Sequence, residues 1–138
     1  MATVAVRTMR AQEVSHAVIT AAMRVHSELG PGLLESTYRA CLQYELSKAG
    51  VTALAELGLP VVYDGMKLEI GYRMDLVVED SVIVEIKSVE GIHPVHQAQL
   101  LSYLKLSGKS IGLLINFNVV HLRDGIKRFV NGTNWQKQ

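Results

Sequence analysis

Cysteine, long apolar runs and secretory features are all scarce or missing in this sequence. The single cysteine, Cys41, excludes an internal disulfide framework and any zinc site built from several cysteines. No apolar stretch reaches the ~18 residues that a membrane-spanning helix needs. The N-terminal segment also lacks the continuous apolar core of a secretory signal. We therefore expect a soluble protein of a reducing compartment, the cytoplasm, with no membrane partner.

An excess of charge of one sign is missing as well, because 14 basic and 13 acidic residues give a formal net charge of +1. Any affinity for nucleic acid must come from a local basic patch and not from the overall field. The sequence contains neither a Gly-x-Ser-x-Gly nucleophile elbow nor a phosphate-binding Gly-x-x-x-x-Gly-Lys loop. These absences argue against a serine hydrolase of that type and against a P-loop nucleotide-binding protein.

What is present is the pattern of one α/β domain, and 138 residues suffice for one such domain with a real core. We predict a flexible arm over residues 1–9 and a single domain over 10–132. The predicted elements are helices over 10–29 and 33–49, a hairpin of 59–63 and 66–70 about an Asp64-Gly65 turn, strands over 73–78 and 81–88, a helix over 94–107, a strand over 110–117, and a last strand or short helix over 126–130. This order predicts an α/β sandwich around a mixed sheet.

Charged residues interrupt two of the predicted strands, and their alignment decides whether they form a site. A three-residue loop between strands 73–78 and 82–87 sets Asp75 opposite Glu85, and Lys87 then projects to the same face. A two-residue loop would shift the pairing by one residue and put the two carboxylates on opposite faces. A site at this position therefore depends on the register.

Two opposed carboxylates in the middle of a sheet repel each other, so something must compensate for them. A divalent cation would do so, and carboxylate oxygens together with water suit Mg²⁺. The alternative is that Lys87 alone neutralises Asp75 or Glu85 as an ordinary cross-strand ion pair. The strands by themselves leave both interpretations open.

Two helices carry further polar residues that could complete such a site. Glu35 lies in the first turn of the second helix, where the dipole favours an anion, and it shares a face with Tyr38. On the third helix His96, Gln99 and Tyr103 share a face beside the apolar stripe. Taken singly, Glu35 is better explained as an exposed acid that suits the helix dipole, and the third-helix residues are also consistent with a solvated flank.

The segment Gly32 to Tyr38 reads G-x-x-E-x-x-Y. Together with segments 73–79, 84–87, 96–105 and 112–117, in this order, it makes the chain resemble the GxxExxY protein family, a branch of the PD-(D/E)XK nuclease superfamily. The resemblance runs from about Val14 to Val130. It implies a restriction-endonuclease-like sandwich with a mixed central sheet of about four strands flanked by helices. One departure is Met74, which stands where the superfamily signature has a proline.

The resemblance also implies a site and roles for its residues. The implied catalytic residues are Glu35, Asp75, Glu85, Lys87 and Gln99. The implied metal is Mg²⁺, or Mn²⁺ as a substitute, held by Asp75, Glu85 and the carbonyl of Ile86, with Glu35 contacting it directly or through water. Lys87 is expected to orient water and to stabilise charge on the phosphate. The expected substrate-binding residues are Tyr38, Arg73, His96 and Tyr103. For Tyr103 the alternative role is to brace Gln99.

The resemblance implies a metal-dependent nuclease that acts on nucleic acid, and we expect DNA more than RNA. A homodimer would supply the two sites that cutting both strands of a duplex needs. The competing interpretation is a catalytically silent nuclease-fold module that serves as a nucleic-acid or protein adaptor. A third possibility, a zinc-dependent hydrolase, would use His93 and His96, although no cysteine or aspartate completes a zinc set beside them.

Overall fold

The computed structural model describes residues 9–131, which form a mixed sheet with helices on both faces. The elements of this part of the chain are α1 (Ala11–Leu29), α2 (Glu35–Lys48), β1 (Ala53–Gly58), β2 (Val61–Tyr63), β3 (Met66–Leu68), β4 (Arg73–Val78), β5 (Val82–Lys87), α3 (Pro94–Ser107), β6 (Ile111–Asn116), a short 3₁₀ helix (Leu122–Gly125) and β7 (Ile126–Val130). The predicted α/β sandwich is therefore confirmed. Of the predicted arm only Met9 lies within the described residues, and it packs against the core.

Within residues 9–131 the central sheet has five strands in the order β1-β4-β5-β6-β7, one more than the four or so expected. β5 and β6 run parallel, and α3 connects them, as a parallel pair requires. The other neighbours in this sheet are antiparallel. The segment with two possible assignments near the end of the chain is a strand, β7.

The extra strand is β1, which the sequence pattern does not predict. It lies at an edge of the sheet, and all its residues after Ala53 are exposed. Hydrogen bonds to β4 hold it there, with Ala53 opposite Val78 and Gly58 opposite Arg73. An exposed edge strand lacks the alternation of apolar and polar residues by which strands are recognised.

The predicted hairpin is present as a separate two-stranded sheet of β2 and β3. Asp64 and Gly65 form its turn, and both have positive φ, 51° and 75°. Two consecutive positive φ values are typical of the tight turn that a two-residue hairpin loop favours. The hairpin lies between β1 and β4 in the chain, so it leaves the central sheet at the end where β5 finishes at Lys87.

Each face of the central sheet has its own apolar core. Against α1 and α2 the sheet buries residues that include Leu76, Val84 and Leu113. Against α3 it buries a smaller cluster that includes Ile83 and Leu114. Because side chains alternate along a strand, the odd-numbered residues of β5 face α3, and Glu85 and Lys87 are among them.

The helices end close to where the sequence predicts. α2 begins at Glu35 and not at Leu33, and α3 has the predicted bounds, closed by Gly108 in the left-handed conformation. No helix within the described residues is long and apolar enough to span a bilayer.

Candidate active site

The connection between β4 and β5 has three residues, as the register argument requires. Val78 pairs with Val82, and the pairing continues through Leu76 and Val84. Glu79 and Asp80 in this connection both have positive φ, 48° and 53°. The register that sets Asp75 and Glu85 on one face is therefore the observed one.

Thr52 fastens this turn to the chain before β1. The Thr52 N–H donates to the Glu79 carboxylate at 2.9 Å, and the Glu79 N–H donates to the Thr52 carbonyl at 2.8 Å. Lys109 forms an ion pair with Asp80 at 2.6 Å, although the Asp80 side chain is largely exposed. These contacts help to hold two non-glycine residues in a conformation that is otherwise costly.

The sheet is irregular around Asp75. Within β4, which lies wholly in the described part of the chain, Asp75 is the residue that pairs with neither β1 nor β5. Opposite it on β1, Glu56 has a φ of 51°, and its carboxylate pairs with Arg39 of α2 at 3.7 Å. On the other side the Ile86 N–H donates to Asp75 Oδ2 at 2.8 Å. The strands therefore separate here, and the Asp75 side chain accepts a bond that a strand carbonyl would normally accept.

Glu85 is the most unusual group in the site, because a carboxyl group that is ordinarily ionised in water is here only 4% exposed. Its Oε1 is buried and has no hydrogen-bond partner among the described residues. Burial raises the pKa of Glu85 to about 9, and a hydrogen bond and charge repulsion from Asp75 add to the rise, while the charge of Lys87 opposes it. Without a cation, Glu85 is therefore protonated at neutral pH.

α3 covers this pair with a tyrosine. The Tyr103 side chain is buried. Its pKa is raised first by burial and then by the charges of Glu85 and Asp75. The hydroxyl therefore lies close enough to both carboxyl groups to interact with their charges. A hydrogen bond from Gln99 acts in the opposite direction. The Gln99 and Tyr103 side chains are therefore joined by a hydrogen bond.

The distance of α3 from the sheet depends on a glycine. A Cβ added at Gly112 of β6 would lie 2.9 Å from a terminal carbon of Leu100. Leu100 is fully buried on α3, one residue after Gln99. The missing side chain at Gly112 therefore lets α3 approach the sheet closely, which brings Gln99 and Tyr103 towards the carboxylates.

Glu35 lies beside the carboxylate pair and not within it. Its Oε2 accepts a hydrogen bond from the Ser88 N–H at 3.3 Å, just after the end of β5, and the Ser88 hydroxyl donates to the Leu33 carbonyl at 2.7 Å. Within residues 9–131 no three His, Cys, Asp or Glu side chains come together as a metal-binding group. The structure thus unites Asp75 and Glu85, and it does not add Glu35 to them as a third carboxylate ligand.

Tyr38 does not occupy the substrate-binding position expected for it. It is fully buried and stacks on Phe117 with ring centroids 4.4 Å apart. Its hydroxyl donates to the Gly30 carbonyl at 2.5 Å and accepts from the Leu33 N–H at 3.1 Å. Tyr38 therefore anchors the loop before α2, which positions Glu35, and we do not retain it as a substrate contact.

Arg73 and His96 are the basic residues expected to contact the substrate. Arg73 is exposed at the start of β4. The pKa of His96 is lowered mainly by burial and then by the charges of Lys87 and His93, whereas Glu35 raises it. His96 is thus close to both Lys87 and Glu35. Its Nδ1 accepts the His93 N–H at 3.2 Å, and the described residues supply no third zinc ligand for these histidines.

Two contributors to the site have no clear signal in the sequence. Asn116 is buried at the end of β6, and its side-chain amide both accepts from the Val89 N–H at 3.1 Å and donates to the Val89 carbonyl at 2.9 Å. It therefore fixes the loop that follows Lys87. Tyr72 lies edge-on to Tyr103, with ring centroids 6.4 Å apart. The only sequence feature that could indicate Asn116 is its position as a polar residue at the end of an apolar strand.

The donor set of this site fits a hard divalent cation. Asp75 and Glu85 present carboxylate oxygens on one face, which suit Mg²⁺ or Mn²⁺. The unpartnered Glu85 Oε1 is a buried acceptor for which a cation would compensate. Two protein carboxylates with additional water are also the kind of set that Mg²⁺ commonly uses.

Comparison with known proteins identifies the superfamily of this chain. A family model described as the PD-(D/E)XK nuclease superfamily matches residues 12–129. The chain belongs to that superfamily, and membership supports a nuclease-type function. No curated protein matches the chain, and no solved structure does so. The superfamily and the fold expected from the resemblance are therefore confirmed.

Proposed function

We propose that this chain is a Mg²⁺-dependent nuclease of the GxxExxY branch, with Mn²⁺ as a substitute, that hydrolyses phosphodiester bonds in DNA in preference to RNA. The observation that carries the proposal is the buried Glu85 carboxyl group with its unpartnered Oε1 beside Asp75. With a single cysteine in the chain, we also propose a reducing, cytoplasmic location.

The energetic argument starts from the cost of burying an acid. A buried carboxyl group with an unsatisfied oxygen destabilises the fold unless some function requires it. An ion pair with Lys87 is a poor explanation, since burial and Asp75 outweigh Lys87 in their effect on the pKa of Glu85. A cation between Asp75 and Glu85 would displace the proton held by Glu85 and compensate both carboxylates.

The residues around the pair suit hydrolysis of a phosphodiester. Asp75, Glu85 and the Ile86 carbonyl would hold the ion, which when bound supplies positive charge that polarises the scissile phosphate and activates water. The Lys87 ammonium, on the same strand face, orients water and stabilises negative charge on the phosphate. Gln99, held against Tyr103, presents an amide that positions water or a phosphate oxygen.

Glu35 and the basic residues have outer roles in this proposal. Glu35 accepts from Ser88 and therefore acts on the ion through water and not directly. His96 and Arg73 contact the nucleic-acid backbone on either side of the scissile phosphate. A homodimer would supply a second site where both strands of a duplex are cut.

The second candidate is a catalytically silent nuclease-fold module that acts as a nucleic-acid or protein adaptor. It is favoured by the separation of Glu35 from the carboxylate pair and by a net charge of only +1. Weak overall charge gives weak non-specific affinity for nucleic acid, which an adaptor can offset through specific contacts.

A cleavage assay separates the two candidates. Purified protein is incubated with single- and double-stranded DNA and RNA in Mg²⁺, Mn²⁺ or EDTA, beside Asp75→Asn, Glu85→Gln and Lys87→Ala. We expect metal-dependent cleavage that each substitution lowers at least ~100-fold, since each removes a group acting on the phosphate or its counter-ion. Glu28→Gln, an exposed acid on α1, is the matched control and should cleave normally.

Binding provides a readout that does not depend on activity. Isothermal titration with Mn²⁺ should detect binding to the unmodified protein and to Glu28→Gln, and none to Asp75→Asn. Cleavage that survives all three site substitutions would contradict the proposed site. Absence of both cleavage and Mn²⁺ binding would favour the adaptor.

A further inference from the structure

A partly exposed aromatic side chain lies beside the residues that cover the carboxylate pair. Tyr72 is 43% exposed, and its ring meets Tyr103 at 62°, with the centroids 6.4 Å apart. Tyr103 in turn lies close enough to Asp75 and Glu85 for their charges to raise its pKa. One buried ring therefore separates the Tyr72 ring from the reacting end of the site.

The backbone that carries Tyr72 is held in place. The Leu59 N–H donates to the Tyr72 carbonyl at 2.8 Å, and the next residue, Arg73, pairs with Gly58 of β1. Its contact with Tyr103 restricts the ring further. A ring held by both backbone and neighbour loses little conformational entropy when a flat partner stacks on it.

Exposed apolar side chains also lie next to other site residues. Leu34, which is 74% exposed, directly precedes Glu35, and Val95, which is 67% exposed, directly precedes His96. A duplex hides the faces of its bases and binds through many cationic contacts to phosphate. A single strand offers its base faces, which stack on aromatic side chains.

We propose that Tyr72 stacks on an unpaired base beside the scissile phosphate, so that the site takes single-stranded DNA in preference to duplex. This inference rests on the proposed nuclease function and names its substrate class. Tyr72 is a substrate-binding residue in this scheme, while Asp75, Glu85 and Lys87 act on the phosphate. Single-strand cleavage needs one site, so a monomer suffices for it.

Fluorescence anisotropy tests the inference in a Glu85→Gln background, where binding is read without cleavage. Three labelled probes of equal length are compared in Mg²⁺: an oligothymidine, an abasic deoxyribose-phosphate chain and a blunt duplex. Tyr72→Ala should weaken oligothymidine binding about tenfold, because stacking on an aromatic ring is worth that much per base. Binding of the abasic chain should not change, since it carries the phosphates alone.

Two further variants control for structure. Tyr72→Phe keeps the ring and should bind as the parent does, while Tyr44→Ala removes a 63% exposed tyrosine from α2 and should change nothing. Tyr72→Leu keeps bulk without an aromatic face and should resemble Tyr72→Ala. If Tyr72→Ala lowers the melting temperature, Tyr72→Leu is used in its place.

The outcomes distinguish this inference from the proposed function. Tyr72→Ala binding oligothymidine as tightly as the parent, or the duplex binding as tightly as the single strand, would overturn the stacking role even if cleavage is metal-dependent. Loss of oligothymidine binding in Tyr72→Ala, together with no cleavage by the unmodified protein, would support base stacking and would remove the nuclease proposal instead.

Discussion

Alternate residues of β5 enter two different environments. Val82, Val84 and Ile86 enter the apolar core that α1 and α2 close. Between them, Ile83 enters the smaller core under α3. Glu85 follows on the same side and is a buried acid. Residues next to each other in the chain thus contribute to packing on one side and to a charged site on the other.

This contrast indicates how a strained site is tolerated. The α3 face contains an acid with a raised pKa, an unpartnered oxygen and interrupted strand pairing at Asp75. Each of these features costs stability. The α1/α2 face has the larger core and can offset that cost. We therefore expect substitutions on the two faces to separate stability from function.

The largest expected effect is on the α1/α2 face. Phe117→Ala removes a fully buried ring that stacks on Tyr38, and it should lower the free energy of unfolding by about 4 kcal/mol. Urea denaturation measures the change. Leu106→Ala, at an exposed position on α3, should cost far less. Equal losses in both variants would mean that Phe117 does not contribute to the core of the α1/α2 face.

A pH effect should come from the α3 face. Because the pKa of Glu85 is about 9 in the folded protein and 4.5 ordinarily, its neutral form stabilises the fold below pH 4.5 relative to higher pH. That contribution is lost as the pH rises towards 9. Between pH 6 and 8 the metal-free protein should lose up to about 3 kcal/mol. Denaturation in EDTA at several pH values measures the slope.

Glu85→Gln provides the matched comparison for that slope, since glutamine does not titrate. The loss of stability between pH 6 and 8 should largely disappear in this variant and persist in Glu28→Gln. A slope that is the same in all three proteins would mean that another group titrates in this range, and the raised pKa of Glu85 would then be wrong.

Metal binding should reverse the pH effect. At 100 times its dissociation constant, Mn²⁺ stabilises a site present only in the folded state by about 2.7 kcal/mol. The gain should be greater at pH 8 than at pH 6, because the ion must displace the proton held by Glu85. Thermal unfolding with and without Mn²⁺ measures it. Asp75→Asn should show no gain, and an undiminished gain there would locate the ion elsewhere.

The smallest expected effect on stability comes from the Tyr38 hydroxyl, which lies on the α1/α2 side and holds the loop before Glu35. Tyr38→Phe keeps the ring on Phe117 but removes the hydroxyl that joins Gly30 and Leu33, so stability should fall by about 1 kcal/mol. Activity should fall more than stability explains, because the freed loop leads into Glu35. Tyr44→Phe, on the exposed side of α2, is the control, and an equal loss of activity there would contradict this role.

The sequence was informative where local chemistry decides the structure. Apolar alternation sets Asp75 and Glu85 on one face if the connection has three residues, and the observed pairing of Val78 with Val82 gives that length. The glycines that follow α2 and α3 also end those helices as predicted. Turn length, alternation and helix termination are local properties, and residues close in sequence carry them.

The remainder depends on contacts between distant segments. β1 escapes prediction because hydrogen bonds and not burial hold it at the sheet edge. Spacing places Glu35 and Tyr38 on one side of α2. It does not reveal that Tyr38 enters the core while the Glu35 carboxylate accepts a hydrogen bond from Ser88. The position of Tyr72 against Tyr103 follows from how the helix α3 lies on the sheet, which sequence spacing cannot give.

The three residues between β4 and β5 have a consequence for how this chain can change during evolution. Surface turns usually accept insertions and deletions. Removing one residue here would shift the register of β5 by one residue and exchange its two faces. Glu85 and Lys87 would then enter the apolar core against α1 and α2, and Ile86 would lie under α3. The length of this turn is therefore as restricted as the identity of a catalytic residue, although none of its three side chains touches the site.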